Sequence, residues 1–96
     1  MSVKQRVTEL RKKLQMEGLD AMLISNSENR RYLSGFTGSS GYLVVTQEES
    51  ILLTDFRYTE QASNQSPDFT IERIGGNYAW LSNIVQELEI KKMGFE

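Results

Sequence analysis

The sequence predicts an α/β fold with three layers, in which a mixed, mostly parallel sheet lies between helices. Apolar residues recur at helical spacing near the N-terminus, and short apolar runs alternate with helical segments further on. Two of these runs are separated by only four polar residues, "QEES". So short a connection predicts one antiparallel hairpin within the sheet. The predicted order of elements is α-β-α-β-β-α-β-α-β.

The first predicted helix covers about residues 3 to 17. Ser2 is placed to cap its N-terminus, with Gln5 completing a capping box, and Gly18 is placed to end it. Its apolar stripe consists of Val3, Val7, Leu10 and Leu14. Its basic side chains are interpreted as a solvated face, with a basic docking surface as the alternative. They are Lys4, Arg6, Arg11, Lys12 and Lys13.

The middle of the chain predicts a strand, a short helix and the hairpin. Asp20–Ser25 is an apolar run typical of a buried strand. Ser27 is expected to cap a brief helix that Gly35 ends. The hairpin strands are predicted at Tyr42–Thr46 and Ile51–Thr54.

The last third of the chain predicts two helices and two strands. Asp55 is expected to cap the third helix, and Pro67 ends it. Phe69–Ile74 is a strand candidate, and Asn77 is expected to cap the fourth helix. The final residues, "KMGFE", begin like another strand.

The composition excludes several function classes. The chain has 96 residues, which suits one domain, and neither cysteine nor histidine is present. Thiol catalysis is therefore impossible. Most catalytic zinc sites and serine triads are also excluded, because they need an imidazole that this chain cannot supply. The net charge of −2 does not favour nucleic acid, and no apolar segment is long enough to span a membrane. We expect a cytoplasmic protein that binds neither nucleic acid nor a membrane.

A glycine-rich stretch, "SGFTGSSGYLVV", separates the second helix from the hairpin. A phosphate loop would run from a strand into a helix and carry lysine, whereas this stretch runs from a helix into a strand without one. The spacing of Gly35, Gly38 and Gly41 also fails the dinucleotide pattern. The residues themselves indicate that the glycines supply positive φ angles in a tight connection.

Two blocks of the sequence resemble a known family. "NRRYLSGFTGSSGYLVVT", followed by "LLTDFRYTEQA", resembles the N-terminal domain of the Xaa-Pro peptidases, meaning prolidase and aminopeptidase P, which creatinase resembles too. Bacterial Xaa-Pro dipeptidases are the most similar, and the resemblance covers essentially all of residues 1–96. It implies a creatinase/prolidase N-terminal-type domain with a ribonuclease H-like motif. Phe56 departs from the family, which usually has a small residue there, as in "TDGRY".

The resemblance also implies what this chain lacks. Family members carry a second, C-terminal domain of pita-bread fold, where two divalent metal ions (Mn, Co or Zn) activate water. Their ligands include a histidine, which this chain does not contain. We therefore expect no catalytic residue, metal ligand or cofactor in this chain, and a domain truncated at its C-terminal end. The implied partners are the chain's own catalytic domain, a second copy in a homodimer, and a proline-containing peptide.

The resemblance assigns a substrate-side loop that reaches toward the partner subunit's active site. Glycines let a peptide approach closely, hydroxyl groups can hydrogen-bond its terminus, and the aromatic ring can cover proline. The loop consists of Phe36, Thr37, Gly38, Ser39, Ser40 and Gly41. The alternative for Phe36 is that its ring packs in the hydrophobic core and does not contact substrate.

A second block of the resemblance contains Asp55, Arg57 and Tyr58. We interpret it as structural, with an internal ion pair and Tyr58 in the core. The alternative is that Arg57 reaches an acidic partner.

Three functions are compatible with the sequence. The first is a non-catalytic accessory domain of a proline-specific metallopeptidase. The second is a free-standing α/β module that binds a small ligand or phosphate. The third is a self-association module without a site.

Overall fold

The structure, a computed structural model, describes residues 2–96 and has the predicted order of elements. The helices are α1 (Val3–Glu17), α2 (Ser27–Ser34), α3 (Thr59–Gln65) and α4 (Ala79–Glu87). The strands are β1 (Ala21–Ile24), β2 (Tyr42–Thr46), β3 (Ser50–Thr54), β4 (Thr70–Arg73) and β5 (Met93–Phe95). Within the described residues, no helix is both long and apolar enough to cross a membrane.

The five strands form one mixed sheet in the order β4-β3-β2-β1-β5. The pairs β3–β4 and β1–β5 are parallel, whereas β2 is antiparallel to both β1 and β3. The predicted hairpin is confirmed, with Tyr42 opposite Leu53 and Val45 opposite Ser50. The sheet also contains a second antiparallel pair, which the sequence did not predict, because β2 lies between β1 and β3 and pairs with both. Four of the five strands therefore point the same way.

The helices cover both faces of the sheet, which confirms the three layers. Because side chains alternate along a strand, Leu43 and Val45 face one side and Val44 faces the other. The first side packs against α1, α2 and α3, in a cluster that includes Val7, Leu33, Phe36, Ala62 and Phe69. The second side packs against α4, in a cluster that includes Ile84 and Ile90.

The ends of α1 follow the prediction. Ser2 Oγ accepts from the Gln5 N–H at 3.2 Å, and Gln5 Oε1 accepts from the Ser2 N–H at 2.8 Å, which completes the capping box. Gly18 ends the helix in the left-handed region, at φ 69°.

The basic face of α1 is solvated only in part. Arg11 Nε donates to the Thr46 carbonyl at 2.7 Å, and Arg6 Nη1 donates to the Tyr32 carbonyl at 2.9 Å. These two arginines therefore fasten α1 to β2 and α2. The three lysines of this face are exposed.

The caps of α2 and α3 differ from the prediction. Asn26, rather than Ser27, caps α2, because its Oδ1 accepts from the Glu28 and Asn29 N–H groups at 2.9 and 3.1 Å. Asp55 does not cap α3, which begins at Thr59. Its carboxylate instead accepts from the N–H two residues on, and this closes a turn ahead of the helix.

One edge of the sheet gathers the connecting segments that matter for function. The carboxyl ends of β1, β3, β4 and β5 all lie there, because these four strands are parallel to one another. The antiparallel β2 begins at this edge, so the segment before it lies there too. Residues 36–41, 55–58 and 74–78 therefore meet at this edge, which we call the carboxyl edge.

Candidate functional site

The predicted substrate-side residues 36–41, called the glycine loop below, begin with a buried aromatic ring. Phe36 is only 1% exposed, and it packs edge-to-face on Tyr58 with ring centroids 6.0 Å apart. Gly35 ends α2 at φ 81°, and Phe36 then turns its ring into the core beneath the loop. The structure thus places Phe36 in the core, where it is not available to cover a proline ring.

Two glycines of the loop are required by close packing rather than by φ. Among residues 34–41 only Gly35 has a positive φ, so the expectation for Gly38 and Gly41 is wrong. A Cβ atom on Gly38 would overlap the Phe36 ring, lying 2.8 Å from Cε1. A Cβ atom on Gly41 would lie 3.2 Å from the Leu53 carbonyl oxygen. Both glycines are themselves buried.

A buried arginine holds the underside of the glycine loop. Arg30 is 4% exposed and donates to the carbonyls of Gly38, Gly41 and Ser25 at 2.9, 3.0 and 3.0 Å. No carboxylate of residues 2–96 lies within salt-bridge distance of it, and its Nε has no partner there. Burial lowers the pKa of Arg30 below its ordinary value. The guanidinium thus fixes both ends of the segment from Gly38 to Gly41.

Sequence reasoning missed Arg30, although a signal was present. Arg30, Leu33 and Ser34 are the buried residues of α2, and their i, i+3, i+4 spacing places the arginine on the helix face that carries the apolar residue. An arginine on such a face must find acceptors inside the protein, because burying an unpaired polar group is costly. Backbone carbonyls of a neighbouring glycine-rich segment are suitable acceptors.

The remaining loop residues are also held in place. The Thr37 N–H donates to Gln65 Oε1 at 3.0 Å, and Thr54 Oγ1 donates to the Ser40 carbonyl at 2.7 Å. Ser39 Oγ and Tyr58 Oη lie 2.6 Å apart and share a hydrogen bond. Of the six predicted residues, Thr37 and Ser39 are exposed and Ser40 is half-buried. The glycine loop is therefore pre-organised, and it presents hydroxyl groups to solvent.

The second predicted block lies next to the glycine loop. Arg57 donates to the two carboxylate oxygens of Asp55, from Nη2 at 2.8 Å and from Nε at 3.0 Å. The hydrogen bond from the Arg57 side chain is the main reason why the pKa of Asp55 is lowered. Tyr58 is partly buried against the core. The structure therefore contains the expected ion pair, although it lies at the surface rather than in the interior, because the Arg57 side chain is 58% exposed. Tyr58, which lies beside the pair, bonds to the loop through Ser39.

Residues 2–96 do not fit a metal site. No group of three or more histidine, cysteine, aspartate or glutamate side chains in this part of the chain is arranged to hold an ion. The metal pair implied by the resemblance has no ligand set here, and no chemical step is assigned to it.

Comparisons with known proteins agree with one another. Residues 6–96 match the family model described as the creatinase/prolidase N-terminal domain. The uncharacterized peptidase YqhT of Bacillus subtilis is 40% identical over 92 residues, a match that spans 95% of this chain and 26% of that protein. The chain thus spans about a quarter of that relative's length.

Two solved structures share the fold at similar identity. The Xaa-Pro dipeptidase from Bacillus anthracis superposes with a TM-score of 0.93 at 34% identity, covering 99% of this chain and 27% of that one. The N-terminal domain of the cytoplasmic peptidase PepQ from Mycobacterium tuberculosis superposes with a TM-score of 0.88 at 40% identity. That match covers 96% of this chain and 72% of the other. The fold class predicted from the sequence is confirmed.

Proposed function

Because this chain belongs to the creatinase/prolidase N-terminal domain family, we propose that it is the non-catalytic N-terminal domain of a metal-dependent Xaa-Pro peptidase. The catalytic domain, with its two divalent metal ions, follows it in the longer protein. The domain supports a homodimer, and its glycine loop walls the active site of the partner subunit, where a proline-containing peptide binds. The protein is cytoplasmic, in keeping with the description of the relative PepQ.

The pre-organised glycine loop is the observation that carries this proposal. Arg30, Thr54 and Gln65 fix its backbone, so its exposed hydroxyl groups keep their positions without a ligand. A wall that is already ordered loses little conformational entropy when a substrate binds, and substrate positioning benefits from this. The loop also lies at the carboxyl edge, where binding sites of α/β sheets are commonly found.

The same contacts argue against a phosphate-binding module built on this loop. Phosphate cradles use free backbone N–H groups and cationic side chains. Here the Thr37 N–H is bonded to Gln65, and the Arg30 guanidinium is directed at backbone carbonyls. Arg30 is therefore not directed at a ligand, and the loop has no other cationic side chain to bind phosphate.

A mixed dimer of the longer protein tests the proposal. One subunit carries Ser39→Trp beside an intact metal site, and the other carries an inactivated metal site beside an unchanged loop. The live metal site then faces an unchanged loop only across the interface. We expect near-normal Xaa-Pro hydrolysis per live site, whereas the Ser39→Trp homodimer is impaired about 100-fold, since a misplaced wall group slows catalysis by that order.

Two results would overturn the proposal. A heterodimer as impaired as the Ser39→Trp homodimer would mean that the loop serves its own subunit. Equal impairment by Ser63→Trp, which alters an exposed serine on α3, would mean that bulk anywhere on this domain is harmful.

A further inference from the structure

A cavity opens beside the glycine loop. It has a volume of about 610 Å³ and lies at the carboxyl ends of β3 and β4. Ser40 is part of its lining, so the cavity is continuous with the glycine loop. Its size is in the range of small-ligand sites, and its place at the carboxyl ends of two parallel strands is where such sites are found.

Aromatic side chains form much of its wall. Tyr42 and Trp80 pack together with ring centroids 4.9 Å apart. Phe56 and Tyr78 also line the cavity, and each is 68% exposed. Tyrosine, tryptophan and phenylalanine gathered at a surface are typical of recognition sites, because burying them against a ligand removes a large apolar area from water. Phe56 is the residue that departs from the family pattern.

The cavity also carries an excess positive charge. Asp55 and Arg57 neutralise each other through their paired hydrogen bonds. Arg73 remains, with its guanidinium 5.6 Å from the centre of the Phe56 ring. Within residues 2–96, no carboxylate lies within salt-bridge distance of Arg73. An anion placed beside the Phe56 ring would neutralise the charge of Arg73.

Two glycines are part of the cavity lining. Gly75 and Gly76 follow β4, and neither has a positive φ. A Cβ atom on either one would meet no atom within 4 Å. Neither backbone conformation nor packing therefore requires glycine at these positions. What their missing side chains do provide is free space beside Arg73.

We propose that this cavity binds the C-terminal end of a peptide that carries a large apolar side chain. Its carboxylate lies on Arg73, and its side chain lies against Phe56 and Tyr78. The proposal rests on the proposed function and extends it. A peptide substrate that passes the glycine loop at Ser40 enters the cavity directly, so the cavity holds the residues downstream of proline. Substrates longer than a dipeptide are then favoured.

An NMR titration of the 15N-labelled chain with Gly-Gly-Phe tests this directly. We expect shifts in the amides of residues 54–57 and 73–80 with the free acid, and about threefold to fivefold weaker binding of the C-terminal amide, as for one exposed ion pair. Arg73→Gln should weaken binding of the acid by the same factor and leave binding of the amide unchanged. Arg31→Gln, which removes an exposed arginine outside this cavity, should change neither.

Several outcomes would overturn the proposal. The first is an absence of chemical-shift changes with the peptide. The second is equal binding of the acid and the amide. The third is unchanged binding of the acid by both Arg73→Gln and Phe56→Ala. Shifts of the same residues on concentrating the chain without peptide would mean that a second copy occupies the cavity. Because this titration needs neither dimer nor metal, it can fail while the mixed-dimer experiment succeeds, and the two proposals are tested separately.

Discussion

The Arg30 guanidinium and the Gly38 carbonyl oxygen lie 2.9 Å apart, in a buried contact where a cation meets backbone instead of a carboxylate. The same side chain also donates to Gly41 and Ser25, so it satisfies three carbonyls at once. The charge of Arg30 faces three carbonyl dipoles, and this one residue of α2 holds both ends of the segment from Gly38 to Gly41.

Replacing Arg30 with methionine should therefore destabilise the domain. Removing the guanidinium leaves buried carbonyls unpaired, which we expect to lower the free energy of unfolding by about 2–4 kcal/mol. Urea denaturation measures this. Arg31→Met is the matched control, because Arg31 is the exposed neighbour, and its effect should stay within about 0.5 kcal/mol. A loss below about 1 kcal/mol for Arg30→Met would contradict the clamp.

Gly38→Ala should destabilise the domain through the Phe36 ring. The new methyl group would overlap that ring, and overpacking of this kind costs about 1–3 kcal/mol. Phe36→Leu in the same chain should recover part of that loss, because the two substitutions act on one contact. Gly75→Ala serves as the control and should be neutral or slightly stabilising, since its Cβ meets open space. Additive effects of Gly38→Ala and Phe36→Leu would speak against the packing explanation.

The domain should lose stability in acid when the Asp20 carboxylate becomes protonated. The N–H groups of Lys91 and Lys92 donate to its carboxylate at 2.9 and 3.0 Å, and these hydrogen bonds lower its pKa. A pKa lower in the folded state than in the unfolded state stabilises the fold above the unfolded value, about 3.9. That stabilisation is lost as the pH falls through the folded pKa.

The measurement is thermal unfolding between about pH 2 and about pH 7, a range that includes the titration of a carboxylate. Asp20→Asn should flatten part of the decrease below about pH 4, because asparagine does not titrate. Glu17→Gln, which alters an exposed carboxylate at the end of α1, is the control. Identical pH profiles of the wild-type and Asp20→Asn chains would refute the assignment.

The 96-residue chain should hydrolyse no Xaa-Pro peptide, with or without added manganese, cobalt or zinc. It contains no histidine, and its described residues hold no cluster of ligands for a metal ion. The measurement is the release of proline from an Xaa-Pro dipeptide. Metal-dependent turnover by the purified chain, at a level above a heat-denatured control, would show that the domain carries catalytic groups of its own.

The ends of α1 could be predicted from local sequence, whereas the N-terminal caps of α2 and α3, and features that depend on distant contacts, could not. Ser2 and Gly18 sit next to the helix ends that they stabilise, so capping rules identify them. The sequence predicts a positive φ angle for Gly38, because it does not show that Phe36, two positions earlier, turns back beneath this residue. The roles of Arg30 and of the second antiparallel pair likewise depend on where distant segments lie.

The pairing of β1 with β5 has a consequence for synthesis on the ribosome. Ala21 lies opposite Met93 in that pair, so one edge of β1 stays uncovered until the chain has been made as far as Phe95. A nascent chain that stops short of residue 93 can assemble only the order β4-β3-β2-β1, with unpaired backbone groups along β1. A nascent chain that stops before residue 91 also lacks the N–H groups that bond to Asp20. An intermediate with such an edge is open to pairing with another chain, and the arrival of β5 closes it.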